Sequence, residues 1–197
     1  MNKFEDLLER AKWGTFHDEE LDYVVKELQN SSEQDQYTLL HILGRGGEQS
    51  LYRGGNISHL TKYVEPFLQS SEDLLVRLAL WILCLWWDLC ANYLTEILRL
   101  LQYKDGGLED ARRSAILIAG NYLKDKASPE MLRELIRIYE DIHEEHTKRQ
   151  YAYFALAEAL GKEMSQLPPV YVDIPLEPPP DPSVLPGAVK RLLKELA

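Results

Sequence analysis

Two short stretches of the chain hold residue types that can do chemistry. Residues 44–55, GRGGEQSLYRGG, set two clusters of glycine beside Arg45 and Arg53. Glycine-rich turns expose backbone N–H groups that cradle phosphate, and arginine pairs with anions in a fork. A Walker-type loop, however, needs G-x-x-x-x-G-K-[S/T] after a strand, and here no Lys-Ser or Lys-Thr follows and the preceding TLLHIL reads as helix. An RGG tract for RNA works through many copies in a basic context, and two copies in a chain of net charge −10 do not meet that requirement. What remains is a joint. Gly44 is expected to end a helix with positive φ, and about a dozen residues cross to the next one, leaving Arg45 and Arg53 as candidate contacts for an anionic group.

The second stretch is His143-Glu144-Glu145-His146. Zincin chemistry uses H-E-x-x-H, which puts both histidines on one helical face at i, i+4. The i, i+3 spacing here, at the end of a helix, predicts a solvated polar turn and no metal or other cofactor. His17, His41 and His59 stand singly, without a serine or cysteine placed as a nucleophile. The reading is therefore of a protein without a catalytic site or small-molecule substrate.

Aromatic residues are the other chemical resource. Trp81, Trp86, Trp87 and Tyr93 cluster around LALWILCLWW, an apolar run between Arg77 and Asp88 that falls well short of the roughly 20 residues a membrane span needs. The run is expected to be a core helix. On such a helix Trp81 and Trp87 lie about 120° apart, so one indole must leave the buried stripe, and Trp87 with Asp88 is the candidate contact. Cys84 and Cys90, six apart on the same run, would sit about 9 Å from each other and stay reduced. In HTKRQYAYFALAEALG, residues 146–161, Tyr151 and Phe154 share the inner stripe while Tyr153 and Glu158 project differently. Tyr151, Tyr153 and Glu158 complete the candidate partner-binding set.

These side chains need a scaffold, and the pattern that supplies it is helical throughout. Leu60, Tyr63, Val64, Phe67 and Leu68 follow one stripe, as do Leu132, Leu135, Ile136, Tyr139 and Ile142. Eight helices are expected between residues 15 and 161, divided by Asn30-Ser31-Ser32, Ser70-Ser71, Asp105-Gly106-Gly107 and Ser128-Pro129, with Ser58, Ser71 and Ser128 as caps. Every second helix shares a layout. With Gln36, Arg77, Arg113 and Gln150 aligned, the spacings are 41, 36 and 37 residues, and small residues Thr38, Ala79, Ala115 and Ala152 follow two positions later. Small residues at that point let neighbouring helices approach closely.

The stretch VEPFLQSSEDLLVRLALWIL, residues 64–83, resembles a HEAT repeat: Pro66 stands where many first helices of that family kink, and Asp73-Leu-Leu-Val76-Arg77 matches the D-x-x-V-R that opens the second. The other units keep only polar-then-small features. The resemblance implies an all-α, HEAT-like right-handed α-α superhelix of about four helix pairs, spanning residues 1–165 as one domain. Residues 166–197 change character, with eight of the ten prolines between 168 and 186. Proline at that density favours extended polyproline geometry, and the alternation of Val170, Val172, Ile174 and Leu176 gives it an apolar side. The stretch, closed by a short helix from Gly187, is expected to cap the last repeat.

Charge sets the expected partner. The 32 acidic residues outweigh the 22 basic ones, and residues 1–43 hold ten acids against four bases. Such a field repels nucleic acid and attracts a basic protein. No signal-peptide run opens the chain, which implies the cytoplasm. The expectation is a protein-binding module, as an immunity protein neutralising a toxin or as an assembly scaffold. The HEAT resemblance also brings in DNA glycosylases, which hold duplex in a basic groove that this composition does not offer.

Overall fold

The structure is a computed structural model that describes residues 3–104 and 106–159. Every regular element among these residues is helical: α1 Lys3–Lys12, α2 Asp18–Asn30, α3 Glu33–Tyr52, α4 Thr61–Val64, α5 Asp73–Leu80, α6 Leu94–Gln102, α7 Glu109–Asp125, α8 Pro129–Glu140 and α9 His146–Ala159. The expected all-α class is what the protein adopts. The proline-rich stretch, its capping role and the closing helix from Gly187 lie outside the described residues. The described residues divide into two compact units, 3–94 with 106–111, and 95–104 with 112–159.

In the first unit the glycine stretch is not a loop. Gly44, Gly46 and Gly47 all lie inside α3, which runs on to Tyr52. The helix continues well past the expected stop and closes where Gly54 takes φ +80°. There the Gly55 N–H donates to the Ser50 carbonyl at 2.8 Å and the Gly54 N–H to that of Leu51 at 2.9 Å, a Schellman closure. Glycine inside a helix costs about 1 kcal/mol relative to alanine, and close packing is what offsets it. A Cβ on Gly44 would meet Ile82 Cγ1 at 2.5 Å, one on Gly47 would meet Trp87 Cζ2 at 2.7 Å, and one on Gly46 would meet Phe16 Cε1 at 2.7 Å. Glycines on two faces of α3 thus admit α5 and its continuation on one side and the residues before α2 on the other.

The expected helix over 60–68 is broken by chemistry the sequence announces. Pro66 has no N–H to give, and α4 tightens after four residues into the 3-10 turn Glu65–Gln69. Leu60, Val64 and Leu68 are buried, while Tyr63 and Phe67 are half-buried or partly open. The apolar run after α5 also departs from α geometry. Residues Trp81–Trp86 form a π-helical turn, and the chain then reverses at Asp88, whose φ is +53°. The Leu89 N–H reaches back to the Leu83 carbonyl at 2.8 Å. This reversal corrects the straight-helix spacing of the cysteines: Cys84 and Cys90 are both reduced and buried, and their thiols are hydrogen-bonded to each other. That bond and burial push the Cys84 thiol well above its ordinary range.

In the second unit Met131, Leu132, Leu135 and Ile138 of α8 are fully buried, as are Ile97, Leu100 and Leu101 of α6. Gln102 Nε2 donates to Glu134 Oε1 at 3.0 Å and an Arg137 Nη to the Leu101 carbonyl at 3.2 Å. Ser128 caps α8 as expected, its hydroxyl accepting from the Met131 N–H. Ile142, expected on the buried stripe, stands exposed beyond the helix end at Glu140. Ala115 and Ala152 are fully buried, and a Cβ on Gly120 of α7 would sit 2.5 Å from the Cα of Ala155 of α9.

Candidate binding surface on the third and fifth helices

The approach that Gly44 and Gly47 allow brings an aromatic and guanidinium surface together in the first unit. The ring of His41 stacks on Trp86 with centroids 5.4 Å apart and planes 22° from parallel. Arg45, one turn further along α3, lays its guanidinium 3.9 Å from the Trp86 centroid and gives Nη1 to Glu48 at 2.8 Å. One turn back, Tyr37 meets His41 edge-on at 6.2 Å. An Arg77 Nη donates to the Tyr37 hydroxyl at 3.4 Å, and the same guanidinium lies 5.5 Å from the Trp81 ring.

Two further carboxylates hold this assembly. Asp73 at the start of α5 accepts from the Asp110 and Ala111 N–H groups, both at 2.8 Å, and so caps the first turn of α7. Asp110 in turn faces Arg77 at 3.7 Å. Arg77 is therefore fixed between Tyr37, Trp81 and Asp110. The π turn adds the last element: Trp81 at its start and Trp86 at its end each lie beside a guanidinium, Arg77 and Arg45 respectively.

Outermost on α5 and its continuation stand Leu74, Trp81 and Leu85, 50%, 36% and 41% exposed. Offsets of seven and four residues put these side chains on one stripe with Arg77. Scattered exposed apolar residues are ordinary, whereas an indole inside an apolar stripe with arginines at its edge has the composition of a protein-binding hot spot. The surface is built from ring stacking and guanidinium contacts. Burial first, then the charges of Arg45 and Lys12, lower the His41 pKa to about 4, so its ring is neutral at physiological pH.

The predicted site residues distribute unevenly over this picture. Arg45 belongs to the surface. Arg53 lies away from it, donating to the Phe16 carbonyl at 3.1 Å. Trp87 is corrected from exposed contact to core: it is 3% exposed and its Nε1 donates to the Gly44 carbonyl at 3.0 Å. Asp88 is exposed at the reversal. In the second unit Tyr153 is likewise buried, against Tyr139 and Phe154, so it does not project outward. Tyr151 and Glu158 are half-buried on α9.

Sequence reasoning placed Trp81 in the aromatic cluster and left its exposure open. It passed over Leu74, whose i, i+7 spacing with Trp81 was a readable signal, and Leu85, which lies in the π turn. It also passed over Trp13 and Tyr52, each 78% exposed.

His143–His146 falls between α8 and α9, and its carboxylates are taken by cations of α7 and α9. Glu144 accepts from the two terminal nitrogens of Arg112 at 2.9 and 2.6 Å, and Lys148 lies 3.4 Å from Glu145. Glu144 and Arg112 are almost fully enclosed, so the turn is less solvated than expected. Burial would raise the Glu144 pKa, but the Arg112 hydrogen bonds and charge outweigh it and hold the carboxyl below its ordinary value. Among the described residues no cluster of His, Cys, Asp and Glu is arranged to hold a metal ion, and no helix is long and apolar enough to cross a membrane.

Compared with protein-family models, with curated proteins and with solved structures, the chain matches none.

Proposed function

We propose that the chain is a non-enzymatic protein-binding module of HEAT-like helical repeats that recognises a basic protein. The observation that carries this reading is the exposed Leu74–Trp81–Leu85 stripe, whose indole is held in place by Arg77 and stays open to solvent among the described residues. Immobilising the anchor in advance lowers the entropic cost of binding. The repeat reading draws support from ion pairs at similar separations: Arg77 to Asp110 spans 33 residues, while the neighbouring pairs Arg112 to Glu144 and Arg113 to Glu145 each span 32. The net charge of −10 favours a basic partner, and neutralising such a protein or scaffolding its assembly are the roles that follow.

The test is capture of the native partner with the intact chain and with Trp81→Ala. A basic protein retained by the intact chain, released by salt and lost with Trp81→Ala supports the reading. A clear shift of duplex DNA at low salt, or an acidic partner, rules it out.

A further inference from the structure

A second feature of the first unit lies away from the arginine surface. Leu28 and Gln29 of α2 face Lys62, Tyr63, Pro66 and Phe67 across an open groove of about 480 Å³. Tyr63 and Phe67, both half-buried, each supply an aromatic ring to the groove floor. Gln29, Lys62 and Pro66 are exposed around the groove. The Lys62 ammonium rests 4.8 Å from the Tyr63 centroid, which places a cation beside that floor. The residues lining the groove include no acid, an exception in so acidic a chain. Two acids adjoin lining residues in sequence, Glu27 before Leu28 and Glu65 before Pro66, and Glu65 accepts the Tyr93 hydroxyl at 2.8 Å.

Paired aromatic rings with a proline beside them and hydrogen-bond donors at the rim make the surface on which proline-rich peptides dock. Polyproline segments are already extended, lose little entropy on binding and lay proline rings against aromatic faces. The chain carries such a segment. PPVYVDIPLEPPPDP, residues 168–182, has seven prolines and three acids, Asp173, Glu177 and Asp181, with no lysine or arginine. Its charge complements Lys62. The described residues leave the groove open to solvent, so an occupant can enter from another molecule.

We infer that the groove formed by Leu28, Gln29, Lys62, Tyr63, Pro66 and Phe67 binds the acidic proline-rich segment 168–182 of a second copy of this chain. Proline rings lie on Tyr63 and Phe67, Gln29 donates to a peptide carbonyl and Lys62 meets one of the carboxylates. Reciprocal exchange of the two segments makes the contact isologous and closes a two-fold dimer.

Sedimentation of the full chain over a range of concentrations, with and without a synthetic peptide of residues 168–182, tests this. The expected result is a concentration-dependent dimer that the peptide dissociates. Lys62→Glu, an exposed substitution that leaves the core intact, should weaken dimerisation at least tenfold, and a peptide with alanine for every proline should not compete. Should Tyr63→Ala fail to fold, Gln29→Ala supplies a second groove variant, expected to weaken the dimer several-fold. A monomer at every concentration overturns the inference, as does a dimer indifferent to both the peptide and Lys62→Glu.

Discussion

The indole of Trp87 donates to the carbonyl of Gly44 across 43 residues of sequence, at 3.0 Å and out of contact with water. The bond forms because Gly47, one turn along α3, has no side chain: a Cβ there would lie 2.8 Å from the donating nitrogen. Gly47→Ala gains about 1 kcal/mol of helix propensity and meets a rigid ring system, where overpacking costs about 1–3 kcal/mol. A net loss of about 1 kcal/mol, and at most about 2 kcal/mol, is expected in urea denaturation. An unchanged or raised midpoint would show that α3 and the π turn do not approach this closely.

Trp81 and Trp87 should behave oppositely on substitution. Trp81→Ala removes a partly exposed ring and should change stability by less than about 1 kcal/mol, while weakening partner binding by more than about 2 kcal/mol. Trp87→Ala empties a buried site and should cost about 3–5 kcal/mol of stability. Thermal unfolding of the two variants beside a binding isotherm separates them.

The all-helical class of this chain was legible where local rules and packing agree. Ala79, Ala115 and Ala152, picked out by their interval, are all fully buried, and Ser128 caps the helix it was expected to cap. The glycines misled because their local preference marks a break, whereas their tertiary role is to admit Ile82, Phe16 and Trp87 into contact with α3. Trp87 was misplaced for a related reason: a 100° step does not describe a π turn followed by a reversal, and nothing in WILCLWWD signals either. Glu144 looked solvated because its partner Arg112 is 32 residues away.

His41 should make the first unit sensitive to mild acid. Its folded pKa of about 4 lies below the ordinary 6.5, so between these values the unfolded chain binds a proton that the folded chain refuses. Stability is then full above about pH 6.5 and declines as pH falls toward 4, with a slope of at most one proton. Chemical denaturation at stepped pH should show this decline, and His41→Gln should flatten it. Persistence of the slope in the variant would assign it elsewhere.

Arg112 and Glu144 are predicted to be strongly coupled. Arg112→Met leaves a buried carboxylate without its two-pronged partner and should cost about 3–5 kcal/mol, while combining Arg112→Met with Glu144→Gln should recover much of that loss. Because the Glu144 pKa is depressed, its stabilising contribution is present above the ordinary glutamate range and lost as pH falls through the folded value. The Arg112→Met variant should lose that acid dependence, as read by a double-mutant cycle at two pH values.

Asp88 occupies the left-handed region at φ +53°, where glycine is the relaxed choice. Asp88→Gly should raise stability by about 0.5 kcal/mol, measured as a small upward shift of the unfolding temperature.

The run of glycines inside α3 also bears on the order in which the chain acquires its shape. A segment with Gly44, Gly46 and Gly47 within four residues cannot nucleate a helix, since propagation there is weak and nucleation already costs several fixed dihedrals. Tyr37 to Leu43 can wind early. The glycine segment has to wait until Phe16 and Trp87 arrive from opposite sides, so winding and docking there are one event. The late half of a single helix is thereby tied to contacts from residues well before it and well after it in the chain, which makes α3 the place where local and distant parts of the first unit become cooperative.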